Sequence, residues 1–273
     1  MMNILAKRWC IIYFTCASFI PISATANITI SPKRVILENG QKVAEIMLIN
    51  RSDKQEKFRI ILNNQKMLED GSLADTDVET GNDYFAKDKI IISPRQVRLE
   101  PKATQKIRIM TRINNNLPDG EYRTHLLVQN IPGPAPAIKR DENDKGLGVS
   151  IRAIFGMSIP IIIRKGSVSA DISISDPKFM SKEDGKYVQF KLNRTGNKSV
   201  IGTAEVFSGN ERIGIIKNLA IYLSEKTRTV LIKISPEKVN LIDKNNFLVT
   251  YEPDKDETGT VEKAEMRFNL SNG

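Results

Sequence analysis

VSIRAIFGMSIPIIIR, residues 149–164, decides how this chain is read. Side chains alternate across an extended backbone. One face therefore carries Val149, Ile151, Ala153, Phe155, Met157, Ile159, Ile161 and Ile163, and the other Ser150, Arg152, Ile154, Gly156, Ser158, Pro160, Ile162 and Arg164. The pattern predicts one long strand, well beyond the usual length of about five or six residues. Its C-terminal half is largely apolar on both faces, as a central core strand should be, whereas its N-terminal half sets an apolar row beside Ser150 and Arg152. Pro160 cannot donate to a ladder and predicts an edge or a bend. An exposed apolar edge risks aggregation unless it is built to pair with another chain; a strand wholly buried in its own domain is the alternative.

Outward from this strand the same period of two recurs. KVAEIMLIN (42–50), KFRIILN (57–63), KIIISP (89–94), KIRIMTRI (106–113) and HLLVQNIP (125–132) alternate in the same way. Turn residues separate them at 38–40 (Glu-Asn-Gly), 100–102 (Glu-Pro-Lys) and 117–120 (Leu-Pro-Asp-Gly). After Lys165-Gly166 a second set follows: VSADISIS (168–175), KYVQFKLNR (186–194), VIGTAEVFS (200–208), TVLIKIS (229–235), FLVTYE (247–252) and AEMRFNL (264–270). No stretch past residue 26 has a helical period, so the fold class is all-β, with two sandwiches in series. A Pro-rich, then charged loop, GPAPAIKRDENDKG (133–146), lies just before the decisive strand and reads as a linker or a recognition loop.

The chain begins differently. Lys7 and Arg8 are its only charges before Lys33, an apolar run (9–22) follows, and Ser-Ala-Thr-Ala (23–26) closes the segment. This is the pattern of a secretory signal peptide cut before Asn27, and the run is shorter than the roughly 20 residues a membrane span needs. The expected division is a signal peptide at 1–26, a first sandwich at 27–164 and a second at 165–273, with no integral membrane segment in the mature protein.

Both cysteines, Cys10 and Cys16, fall in the signal, so the mature chain holds itself together by core burial without disulfides. Of 273 residues, 41 are Lys or Arg and 32 Asp or Glu; losing Lys7 and Arg8 leaves 39 against 32, a net charge of +7. The excess is not interleaved with aromatics, and with export it argues against a nucleic-acid partner. His125 is the single histidine. It lies within a strand pattern with no sequence-adjacent Ser or Asp, and reads as structural. No Walker loop, GxSxG, HExxH or strand-linked GxGxxG is present, so the chain is not read as an enzyme, and no cofactor or metal is expected. Asp254-x-Asp256-x-Thr258-Gly259, with Glu265, has near-calcium-loop spacing, but strand-like flanks and Pro253 favour a charged hairpin loop.

Three pieces in order give the mature chain a family resemblance. They are Lys33-Arg34-Val35-Ile36-Leu37 followed by Glu-Asn-Gly and a strand ending at Asn50; Pro94-x5-Glu100-Pro101 followed by DGEYRTHLLVQNIP (119–132); and SIPIIIR (158–164). Over 27–164 the chain resembles the PapD-like periplasmic chaperones of fimbrial (chaperone–usher) assembly, and over 165–273 more weakly. The resemblance implies two immunoglobulin-like sandwiches set as a boomerang, located in the periplasm. It implies fimbrial subunits and an outer-membrane usher as partners, and donor-strand complementation, a recognised form of strand addition. The donor residues would be Val149, Ile151, Ala153 and Phe155. Arg34 would grip the subunit's C-terminal carboxylate. Glu121 and Arg164 would belong to an interdomain salt-bridge cluster, with a third, acidic member, Glu252 or Asp254, from the loop after Tyr251. The sequence departs from the family at Pro160, where many relatives carry a second, lysine anchor. A secreted immunoglobulin-like adhesin or structural coat protein is the alternative function.

Overall fold

The computed structural model describes residues 28–38, 40–79, 84–113, 116–133, 154–243, 246–255 and 261–269. The signal segment, Val149, Ile151, Ala153 and most of the loop at 133–146 lie outside the described residues.

The first sandwich packs two sheets. One has the order β1 (Ile28–Ser31), β3 (Val43–Asn50), β10 (Thr104–Thr111), β8 (Ile90–Ser93). The other has the order β2 (Val35–Leu37), β12 (Gly156–Lys165), β11 (Gly120–Asn130), β4 (Glu56–Asn63), β9 (Gln96–Leu99), with β7 (Tyr84–Phe85) parallel to β11. Alternation selects the inward residues: Ile46 and Leu48 from β3, Ile107 and Ile109 from β10, Leu126 and Val128 from β11, and Ile159, Ile161 and Ile163 from β12 all join one core. Near the start of β11 the Tyr122 hydroxyl donates to the Pro118 carbonyl at 2.7 Å, the corner found in immunoglobulin-like sandwiches. Asn50 is wholly buried, and its amide donates to the carbonyls of Lys54, Leu99 and Glu100, tying two loops together.

The second sandwich pairs β13 (Ala170–Lys182), β14 (Gly185–Gly196) and β17 (Thr227–Lys233) against β16 (Glu211–Ile221), β15 (Val200–Ser208), β18 (Phe247–Pro253) and β19 (Ala264–Phe268). Val188, Phe190 and Leu192 point inward at every second residue of β14. The all-β, two-sandwich fold is therefore present, and the only helical elements among the described residues are two 3₁₀ turns. The segment with near-calcium-loop spacing joins two paired antiparallel strands, β18 and β19, part of it outside the described residues.

The short strands β1, β7 and β9 were not among those read from the sequence, and two further features were not expected. β16 has bulges against it in the β15 pairing, between Gly202 and Ala204 and between Val206 and Phe207, so its burial does not alternate regularly. The other is a small hairpin of β5 (Gln65–Met67) and β6 (Leu73–Asp75). Its turn has Gly71 at φ +83°, in the left-handed region, with Asp70 accepting from the Ser72 amide at 2.8 Å.

Candidate functional site

The long strand expected over 149–164 is described from Gly156, and it changes character along its length. Lys165 back to Gly120 and Gly156 back to Gln129 are register partners, so β11 borders all of β12. On its other side β2 covers only Ile161–Ile163. The edge from Gly156 to Pro160 consequently has no strand beside it among the described residues, and Pro160, which has no N–H to offer, sits where that open edge begins. Burial follows the same gradient: Gly156 and Ser158 are exposed, while Ile161, Ile162, Ile163 and Arg164 are buried.

Phe155 immediately precedes the open half. Its side chain is 66% exposed, beside Ile154 at 58%. The backbone stays attached to β11: the Phe155 amide donates to Asn130 Oδ1 at 2.7 Å, and the Phe155 carbonyl accepts from the Asn130 amide at 3.0 Å. Phe155 thus continues the inward row of Ile159, Ile161 and Ile163 beyond the end of their core.

At the closed end three neighbouring strands bring three charges side by side. Glu121 of β11 is the register partner of Arg164 in β12, and Glu38 follows directly on β2. Arg164 donates from Nε to Glu121 Oε2 and from Nη1 to Glu38 Oε2, both at 3.2 Å, with all three side chains buried. The cluster reaches the second sandwich through Ser199: its amide donates to Glu121 Oε2 at 3.0 Å, and its carbonyl accepts from Arg164 Nη2 at 3.3 Å. The acidic partner expected from Glu252 or Asp254 is corrected here. Glu252 lies exposed on β18, and the further carboxylate on Arg164 is Glu38, because the parallel pairing of β2 with β12 carries it there.

Asp254 is bound elsewhere. Arg34, just ahead of β2, donates from Nη2 to Asp254 Oδ2 at 2.5 Å across the two sandwiches. The pair lines a cavity of about 30 Å³ together with Ile36, Arg164, Ile201 and Lys255. The Asp254 backbone is held by its amide donating to the Ile201 carbonyl at 2.8 Å.

Between these charges the sandwiches meet through an apolar cluster of Ile162, Met67, Ala220 and Tyr222, with Ile36 and Ile201 against it. The unexpected hairpin supplies Met67 and strengthens the junction: the Met67 amide donates to Ser224 Oγ at 2.9 Å, and the Thr229 amide to the Glu69 carbonyl at 2.7 Å. Its signal was the Asp70-Gly71 pair between Met67-Leu68 and Leu73, but its strands of three residues are too short for periodicity to register. Arg123 donates to the Gln65 carbonyl at 2.8 Å and lies over the Tyr222 ring at 4.3 Å.

His125 pairs in register with Pro160 and is buried edge-on to Tyr222, with neither ring nitrogen hydrogen-bonded. Burial, and after it the Arg123 charge, depress its pKa to about 3. A neutral, enclosed imidazole has no substrate access, and its part is structural.

The N-terminal-domain profile of PapD, a pili and flagellar-assembly chaperone, matches residues 27–164. The chain belongs to this chaperone family. No curated protein matches the sequence. Among solved structures, the YadV chaperone is 16% identical with a TM-score of 0.49, covering 89% of this chain and 100% of its own. The Escherichia coli chaperone DraB is 14% identical with a TM-score of 0.44, covering 88% and 97%. The CsuC–CsuE chaperone–tip adhesion subunit complex of Acinetobacter baumannii gives 14%, 0.44, 89% and 98%. The family assignment rests on the sequence match over 27–164.

Proposed function

We propose that this PapD-family chaperone works in the periplasm, binding fimbrial subunits by donor-strand complementation and holding them until delivery to an outer-membrane usher. Residues 1–26 would be the cleaved signal, 27–164 the subunit-binding domain and 165–273 the second domain. The observation that carries the reading is the half-open strand: among the described residues Gly156–Pro160 has no strand on its second edge, and Phe155 stands exposed at its head, in line with the core-facing row. A subunit lacking a strand would pair along that edge, taking Phe155 and, upstream, Ala153, Ile151 and Val149 into its groove. Four such side chains contribute roughly 5–10 kcal/mol before ordering costs. Arg34 would receive the subunit's terminal carboxylate, because a guanidinium fork matches a carboxylate. The Glu38–Arg164–Glu121 row would fix the angle between the domains. Nothing in this scheme requires a cofactor or a chemical step, so the work is binding rather than catalysis.

The test is periplasmic co-production with the subunit encoded beside the gene, followed by affinity capture and measurement of stoichiometry. A 1:1 complex with the wild type, lost in Phe155→Glu, is the expected result. Loss in Arg34→Ala as well assigns the anchor, whereas a complex that survives Phe155→Glu overturns the donor-strand reading.

A further inference from the structure

We infer that Asp254 is the resident ligand of the carboxylate anchor, and that a subunit's terminal carboxylate binds by exchanging with it at Arg34. This rests on the anchor role proposed for Arg34 and concerns how that site is filled and emptied. Three observations carry it. The Arg34 guanidinium already holds a carboxylate, Asp254 Oδ2 at 2.5 Å, contributed by a residue 220 positions away in the chain. The cavity around the pair, about 30 Å³, has room for one or two waters and not for a second carboxylate. Of the three cations that line it, Arg34 already holds Asp254 and Arg164 already holds Glu38 and Glu121.

Exchange, not addition, fits the volume and keeps one carboxylate on Arg34. Asp254 is built to leave: its side chain is 35% exposed and turns into water without burying its charge. Its amide bond to Ile201 keeps the backbone in place while it does so. Glu38 and Glu121 are buried on Arg164 and have no such freedom. The consequence is selectivity. An isolated carboxylate competes poorly against one tethered at high effective concentration. A carboxylate that ends an extended apolar segment gains strand pairing in the same event, and displaces Asp254 with that gain. The ligand class is therefore a free chain terminus on an apolar strand, and not small anions.

The experiment uses the last twelve residues of the neighbouring subunit as two synthetic peptides, one with a free C-terminus and one amidated. Both are titrated into wild type, Asp254→Asn, Glu252→Gln and Arg34→Ala. The free-acid peptide should bind Asp254→Asn about tenfold more tightly than wild type, the size of one charge-assisted hydrogen bond. The amide should be unchanged, and Glu252→Gln should behave as wild type. In the free protein, the Arg34 Hε resonance should move in Asp254→Asn and stay in Glu252→Gln. An equal gain for acid and amide, or the same gain in Glu252→Gln, reduces the effect to general charge and overturns the exchange. An acid peptide that prefers Arg34 proteins over Arg34→Ala but binds Asp254→Asn no better than wild type overturns the exchange and spares the anchor. No preference for acid over amide anywhere overturns the anchor itself. An unmoved Arg34 resonance overturns the exchange whatever the peptides do.

Discussion

The two halves of β12 are five residues each, continuous, and built on the same neighbour, yet they are made for opposite conditions. Ile161–Lys165 has β2 along its first three residues on one side, β11 on the other, the sandwich core beneath and the second domain above. Gly156–Pro160 has, among the described residues, only β11 beside it. The closed half places a charge, Arg164, against paired carboxylates, while just ahead of the open half Phe155 is 66% exposed. A strand can hold both because its residues alternate independently of what its edges do. The closed half anchors the register, and that fixed register presents the open half. Substitutions should therefore divide cleanly, with stability residing in one half and binding in the other.

The largest loss of stability is expected at Arg164→Met. It strips the cation from two buried carboxylates, and a broken buried pair of this kind costs about 3–5 kcal/mol. In a chain of this size that lowers Tm by roughly 6–20 °C, readable by calorimetry or circular dichroism. Combining Arg164→Met with Glu121→Gln and Glu38→Gln should return part of the loss. If Arg164→Met melted like the wild type, the closed half would not be the anchor argued for here.

His125 sits at the division itself, opposite Pro160. Its pKa falls from 6.5 to about 3 on folding, through burial first and Arg123 second, with the Asp75 charge opposing them. The sign follows directly. Between those two values the unfolded chain takes a proton that the folded chain refuses, so this group's stabilisation is complete above pH 6.5 and is lost as pH falls toward 3. The slope is about 1.4 kcal/mol per pH unit. Urea unfolding at pH 7 and pH 4 should show His125→Phe losing less stability on acidification than wild type, by about 3 kcal/mol. Equal acid sensitivity would mean that the imidazole is reached by water or a partner in the folded state.

Met67→Ala tests whether the hairpin strengthens the closed half. The side chain is buried against Ile162, Ala220 and Tyr222, and its truncation should cost about 2 kcal/mol. Because the cluster joins the two sandwiches, the variant should also loosen them, seen as broader interdomain distances by paired spin labels.

What the sequence revealed in advance divides along the same line. Alternation marked most strands of both sandwiches, since a half-buried strand must show its period. Register partners within one sheet, Glu121 beside Arg164, were approachable from a family pattern. Contacts that need two sandwiches to be placed in space were not legible. Nothing in the sequence sets Glu38 rather than Asp254 on Arg164, because that choice depends on β2 running parallel to β12. The β5–β6 hairpin escaped because three-residue strands have no period to read, and β16 because two bulges in its pairing break one. Pro160 was read as an edge or bend and lies where β2 stops covering the strand.

Phe155→Glu should have the smallest effect on stability and the largest on function. The ring is mostly exposed, and among the described residues the hydrogen bonds of Phe155 are those of its backbone to Asn130, so unfolding free energy should change by less than about 0.5 kcal/mol. In a complex, by contrast, a glutamate carboxylate would enter an apolar groove without a partner, and burying an unpaired charge is among the costliest substitutions at an interface. Subunit capture should therefore fail while the melting curve remains that of the wild type. Phe155→Leu is the control, keeping an apolar side chain that still fills a groove and restoring capture in large part. Should Phe155→Glu lower stability as much as Arg164→Met, the two halves would be one cooperative element, and the ring would be packing against its own chain rather than waiting for another.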